Sequence, residues 1–233
     1  MTLAGRVALV TGGAGALGQA VTQRLLAGGA AVCVPWVVDA EQAQLRAALA
    51  PAAAGRLFLD RCDVTDAAAL DRFVAAARGR HGAIDVLVTL VGGFAGGALV
   101  ETDRAAWDRM LALNLTSAFT AARAVVPAMI AAGRGRVVTI GSRAVVPPAG
   151  GFIAYATSKA GVIAFTQALA QELRGTGVTA NCVLPSTMDT PGNRAAMPDA
   201  DRTGWVPVES VAAAIAFLAG DEASHVNGTL VSV

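Results

Sequence analysis

Eight residues, Thr11-Gly12-Gly13-Ala14-Gly15-Ala16-Leu17-Gly18, join a short β-branched run at 7–10 to a helix-patterned segment at 19–26. Gly13, Gly15 and Gly18 fit the spacing G-x-G-x-x-G. Those glycines permit a tight turn and a close backbone approach to a pyrophosphate, and the helix that follows aims its free N–H groups at the negative charge. Because no lysine follows the glycines, the turn is not a P-loop. A glycine trio is weak evidence in a chain with 26 glycines. Its place between the first strand and the first helix gives it force.

The same alternation continues along the chain. Runs at 31–34, 57–59, 86–90, 137–140, 178–183 and 229–233 are short and β-branched. Segments at 67–77, 105–130, 156–174 and 208–218 are long, rich in Ala and Leu, with polar residues at helical spacing. Gly28-Gly29, Gly133 and Pro207 mark junctions. Strand-then-helix repetition predicts an α/β fold: a Rossmann-like, doubly wound parallel sheet of about seven strands with helices on both faces. No second core, linker or repeat appears, so residues 1–233 form one dinucleotide-binding domain. Residues 185–207 are the least regular stretch and have the length of a flap over a site.

Composition removes several function classes. A net charge of +1 gives no case for nucleic acid or an anionic membrane. No uninterrupted apolar stretch approaches a membrane span, and the start of the chain lacks the pattern of a signal peptide. Cys33, Cys62 and Cys182 are scattered through apolar runs, as suits reduced thiols in a cytoplasm. His81 and His225 stand in no ligand spacing, so no metal is expected.

The chain has one tyrosine, Tyr155, and one lysine, Lys159, against 17 arginines. They are four residues apart, on one face of a helix that begins near Ala154. Arginine is planar and does not deprotonate, whereas lysine is a compact charge on a flexible stem. A composition that uses arginine everywhere else therefore keeps its lysine for a task that needs a point charge. A phenol of pKa about 10 must come down by roughly 2–3 pH units, about 3–4 kcal/mol, to exchange protons near neutrality. A cation about 4 Å away at an effective dielectric near 20 supplies about 4 kcal/mol.

These residues resemble the short-chain dehydrogenase/reductase family over nearly the whole chain. The family pattern T-G-x-x-x-[GA]-x-G is met by Thr11, Gly12, Ala16 and Gly18, and Y-x-x-x-K by Tyr155 and Lys159. Ser142, 13 residues before the tyrosine, matches the family's serine. Asn114 matches its helix asparagine, Asp63 its adenine-contacting aspartate, and Asn181-Cys182-Val183-Leu184-Pro185 its N-x-V-x-P-G run. Three departures stand out. Thr89-Leu90-Val91-Gly92 replaces N-N-A-G, Pro185-Ser186 replaces P-G, and the second strand ends Pro35-Trp36-Val37 where an acid or a nearby arginine is usual.

The resemblance implies roles. Tyr155 exchanges the proton, Ser142 holds the carbonyl oxygen, Lys159 lowers the tyrosine pKa and binds the nicotinamide ribose, and Asn114 anchors a water relay. It also implies a cofactor site formed by Gly12, Gly15, Ala16, Leu17, Gly18, Trp36, Asp63, Val64, Val91, Gly92, Tyr155, Lys159, Pro185, Ser186, Met188 and Thr190. The cofactor is NAD or NADP. Asp39, 21 residues after Gly18, is either a ribose-binding acid or the acid at a helix start. With no arginine at Ala14 or Val37 the lean is to NAD. Phe94, Arg143, Val145, Pro147, Phe152 and Met188 are expected to face a small, largely apolar ketone, aldehyde or secondary alcohol. Arg143 is either a carboxylate holder or a solvated neighbour.

Two rivals were weighed. A catalytically silent dinucleotide-binding sensor or structural subunit has no use for the serine–tyrosine–lysine set. An α/β hydrolase fails for want of a G-x-S-x-G elbow. Within the family an epimerase or dehydratase role stays open, although the compact C-terminus offers little extra substrate domain. The small apolar faces of 105–130 and 156–174, and an apolar C-terminal strand, lead to the expectation of a homotetramer or homodimer.

Overall fold

The computed structural model describes residues 2–49 and 51–233. Seven strands, β1 (Val7–Thr11), β2 (Ala31–Trp36), β3 (Leu57–Arg61), β4 (Val86–Thr89), β5 (Gly135–Ile140), β6 (Val178–Leu184) and β9 (Leu230–Ser232), form one sheet in the order β3-β2-β1-β4-β5-β6-β9. Every pairing in it is parallel. The central strands β1, β4, β5 and β6 are buried along their full length, which is why they read as continuous apolar runs. The strand order reverses between β1 and β4, and a doubly wound sheet opens a ligand crevice at the carboxyl ends of such a pair.

Helices cover both faces. On one, α1 (Ala16–Ala27) and α8 (Val208–Ala219) send Leu17, Val21, Leu25, Val211 and Ile215 into a core with Val10, Val32 and Val34. On the other, α3 (Ala67–His81), α5 (Ser117–Ala132) and α6 (Ile153–Glu172) pack Leu70, Phe73, Ala121, Val125 and Ala170 against Leu9, Leu87 and Val137.

Three elements differ from the sequence expectation. The segment expected as one helix at 105–130 is α4 (Arg104–Met110), then a π turn over Leu111–Thr116, then α5. The whole run Arg104–Ala132 is long and apolar enough to cross a membrane by composition, yet its inner face is spent on the sheet. Next, α2 (Asp39–Ala47) has one buried side chain, Leu45, and so carries little apolar periodicity. Lastly, 185–207 holds short regular pieces. Met188–Asp189 (β7) pairs in parallel with Val206–Pro207 (β8), and α7 (Pro191–Ala196) lies between them with Thr190 capping its first turn. Strands of two residues and a helix of six are too short to show a period, although Thr190-Pro191 is a helix-start pair.

Candidate active site

The glycine turn leaves β1 at the switch point. Gly12 has φ +70°, and a Cβ there would lie 2.8 Å from the Val91 amide nitrogen at the end of β4. A Cβ on Gly18 would run into the Gly12 carbonyl, so the first turn of α1 can close on the loop only without a side chain. Gly15 caps α1 and offers no side-chain acceptor, and the first turn holds no acid. The free N–H groups of that turn are therefore left for an anion, which fits a dinucleotide pyrophosphate.

The other residues expected at the cofactor lie in the following places. Ala16 is exposed and Leu17 buried at the start of α1. Trp36 ends β2. Beyond β3, Val64 is buried, while Asp63 holds Thr65 through Oδ1, at 2.9 Å to its N–H and 2.7 Å to its hydroxyl. Val91 and Gly92 follow β4. Pro185 accepts from the Arg143 N–H at 3.0 Å, and the Ser186 N–H donates to Val233 at 2.9 Å, tying this loop to the end of β9. Met188 lies in β7, and Thr190 accepts from the Asn193 N–H at 3.1 Å.

Asp39 is the first residue of α2, with Val38 at the cap position, so it stabilises the helix by its charge in the first turn and not as the cap itself. Its carboxylate meets Arg61 Nη1 at 3.3 Å. Arg61 is the residue that sequence reading missed. It lies 25 positions from Trp36 in the chain but directly opposite it in the β2–β3 register, and that register is the only signal that would have found it.

Ser142, Tyr155 and Lys159 come together at the carboxyl end of β5. Ser142 follows Gly141, where a Cβ would lie 2.5 Å from Leu184 and 3.1 Å from the Cys182 sulfur. The glycine thus lets the chain leave the strand tight against β6. Ser142 is buried and lies close enough to the phenol of Tyr155 to draw its pKa down, but burial of the ring outweighs this and holds the phenol above its usual value. Lys159 is fully buried, and its ammonium donates to the Ile140 carbonyl at 2.9 Å. Burial brings the ammonium down to about 8, with the nearby Cys182 thiol pulling the other way. Burial is the larger influence on the phenol and the hydrogen bond with Ser142 the smaller.

Asn114 sits buried in the π turn, a wide turn that recurs at functional sites. Its amide donates to the Gly93 carbonyl at 3.1 Å and to Ser158 Oγ at 2.9 Å, while its oxygen accepts from the Gly93 N–H at 2.9 Å. Ser158 donates in turn to the Tyr155 carbonyl at 2.7 Å. Asn114 therefore clamps the loop after β4 to the helix that carries Tyr155. Gly92 is obliged to be glycine here, since a Cβ would sit 2.5 Å from Asn114 Oδ1.

One wall of the site is aromatic. Phe94 and Phe152 meet each other at 5.9 Å and meet the Tyr155 ring edge-on at 5.0 Å and 6.0 Å. Two backbone hydrogen bonds, Gly97 N–H to Gly151 at 2.8 Å and Ile153 N–H to Gly97 at 3.1 Å, fasten the two loops that form it. Val145 is buried behind, and Pro147 and Arg143 are exposed at the rim.

Comparison with known proteins agrees with this arrangement. A family model described as short chain dehydrogenase matches residues 6–201. The chain is 34% identical over 242 aligned positions to the 3-oxoacyl-(acyl-carrier-protein) reductase FabG of Escherichia coli, covering 100% of this chain and 97% of that protein. It is 33% identical to the 2,5-dichloro-2,5-cyclohexadiene-1,4-diol dehydrogenase LinX of Sphingobium indicum, covering 97% and 93%. Among solved structures, levodione reductase superposes with a TM-score of 0.91 at 28% identity over 99% of this chain and 96% of that one. A Serratia marcescens short-chain dehydrogenase/reductase mutant gives 0.89 at 33% identity, covering 100% and 98%.

Proposed function

The chain belongs to the short-chain dehydrogenase/reductase family, and from that premise we propose that it interconverts a small, largely apolar ketone or aldehyde and the matching alcohol with Tyr155 as general acid and base. It is an NAD(P)-dependent oxidoreductase acting on CH–OH and C=O groups. The observation that carries the finer reading is the half-buried phenol of Tyr155 beside Ser142, one helical turn from a buried ammonium.

When bound, the dinucleotide supplies the hydride in reduction and accepts it in oxidation. The glycine turn with Ala16 and Leu17 would hold its pyrophosphate, and Asp63, Val64, Val91, Gly92, Pro185, Ser186, Met188 and Thr190 would line its remainder. In reduction the Tyr155 phenol gives its proton to the carbonyl oxygen, and Ser142 hydrogen-bonds that oxygen as negative charge develops. A phenol held above its usual pKa is fully protonated at neutral pH, as a donor must be. Lys159 then stabilises the phenolate left behind and holds the nicotinamide ribose. Asn114 keeps the Tyr155 helix in register with the loop after β4 and anchors the relay that reprotonates the pair.

The aromatic wall of Phe94 and Phe152 favours apolar substrates. Of the two dinucleotides, the lack of a cation at Ala14 and Val37 favours NAD, while Arg61 weighs the other way. Phe119 and Ile130, exposed on α5, with Phe119 edge-on to Phe165 of α6 at 6.3 Å, support assembly into a homotetramer or homodimer. Three buried free thiols suit a reducing cytoplasm.

The test is nicotinamide absorbance over a panel of neutral ketones, aldehydes and secondary alcohols with both cofactors. Turnover of apolar carbonyls is expected; binding of a dinucleotide with no turnover across the panel would favour the silent sensor instead.

A further inference from the structure

A strand end that reads a ribose 2′-hydroxyl needs an acceptor there, and residue 36 is a tryptophan, whose indole only donates. Its Nε1 is buried and, among the described residues, has no hydrogen-bond partner. The side chain faces the cofactor cradle by strand geometry. Val34 packs against the glycine turn, its Cγ2 being 2.8 Å from where a Gly13 Cβ would stand. Two residues on, Trp36 projects from the same face of β2, one step beyond the turn. Directly across the register, Arg61 lays its guanidinium over the indole, 5.4 Å from the ring centroid.

The indole thus braces a group whose fork suits bidentate recognition of phosphate. The Arg61 side chain is 63% exposed, and among the described residues its only ionic partner is Asp39, through Nη1 alone, at 3.3 Å. Asp39 is itself 76% exposed, and an ion pair so open to water is weak. A phosphate offers charge-assisted bonds to two guanidinium nitrogens at once and displaces such a partner readily. The opposite assignment, a ribose acid, needs Asp39 to accept from the ribose. Asp39 instead lies three residues past the strand end with its carboxylate turned to Arg61.

We propose that Arg61, held over Trp36, grips the 2′-phosphate of the phosphorylated dinucleotide and makes the chain selective for NADP(H) over NAD(H). The assignment rests on the oxidoreductase reading above. Asp39 holds the guanidinium at the edge of the site before the ligand arrives and, being an acid, limits how tightly a phosphate binds beside it.

Calorimetric titration of the whole chain with ADP, 2′,5′-ADP, NADH and NADPH tests this without turnover. The 2′-phosphate is expected to tighten binding about tenfold or more in both pairs. Arg61→Gln should bring each ratio to within about twofold, and Asp39→Asn should widen it. Equal affinities, a preference for NADH, or a phosphate preference that survives Arg61→Gln would overturn the assignment and leave the oxidoreductase reading standing. Failure of both dinucleotides to bind would overturn the two together.

Discussion

At the amino ends of β1, β4 and β5, Asp85 lies with its side chain only 6% exposed, between Arg134 Nη2 at 2.8 Å and Arg6 Nη1 at 3.7 Å, and it also accepts from the Val7 N–H at 3.0 Å. Arg6 reaches on to Asp221 with two bonds of 2.7 Å and 2.8 Å, and buried Arg136 gives its protons to the carbonyls of Gly135, Gly177 and Gly220. At the opposite end of the sheet, Lys159 donates to one carbonyl and, among the described residues, meets no acid, and the Tyr155 phenol is held above its usual pKa. One end of the sheet pairs its buried charge, and the other leaves it unbalanced. The first arrangement serves stability; the second keeps groups ready for a ligand the bare chain lacks.

The largest effect expected at the unbalanced end is on catalysis. Tyr155→Phe should lower turnover by roughly 10²–10⁴-fold with an unchanged melting curve. Steady-state kinetics on any working substrate checks it, and retention of more than a few per cent of the rate would dissolve the distinction between the ends. At the paired end, Asp85→Ala should cost about 3 kcal/mol, because two guanidiniums and the Val7 N–H lose their acceptor. Urea unfolding measures that, and a loss under about 1 kcal/mol would mean the network is ornamental.

Lys159→Met sharpens the contrast, since it should abolish turnover yet stabilise the fold. Burial lowers the ammonium from 10.5 to about 8. Below pH 8 both folded and unfolded chains are protonated there, and the folded chain bears the full cost of the buried charge. As pH rises from about 8 to 10.5 the unfolded chain alone keeps the proton, so stability from this group grows across that window. Removing the ammonium should therefore add up to about 3 kcal/mol at pH 7 and erase that rise. For the same reason carbonyl reduction should decline past pH 8, with the phenol still protonated. A lysine-free variant that unfolds more easily would contradict the account. The smallest effect belongs to Asp221, whose side chain is 63% exposed and whose carboxyl Arg6 holds below the usual range. Asp221→Asn should cost at most about 1 kcal/mol, and that loss should vanish as pH falls through the carboxylate range.

The strands were legible because nearly all are β-branched runs, the exception being Leu57-Phe58-Leu59, and all seven expected runs fall in the sheet. Tyr155 and Lys159 were legible because a composition nearly free of lysine made the pair conspicuous. Arg61 was not, since what brings it to Trp36 is the pairing of two strands, and no local pattern encodes a register. The partners of Lys159 were hidden for a related reason. Helical spacing placed the ammonium near the phenol, but the carbonyl that holds it belongs to Ile140 on another element. The split of the helix at 105–130 was not legible because Leu111–Thr116 contains no proline or glycine to mark a break.

That wide turn over Leu111–Thr116 holds one residue more than a regular helix would. Because the widened turn takes up that residue itself, the faces before and after it keep nearly the phase of an unbroken helix. Asn114 is thus turned to Gly93 and Ser158 while Val125 and Met129 stay on the sheet, so the widening seats a buried amide at little cost to the packing of α5.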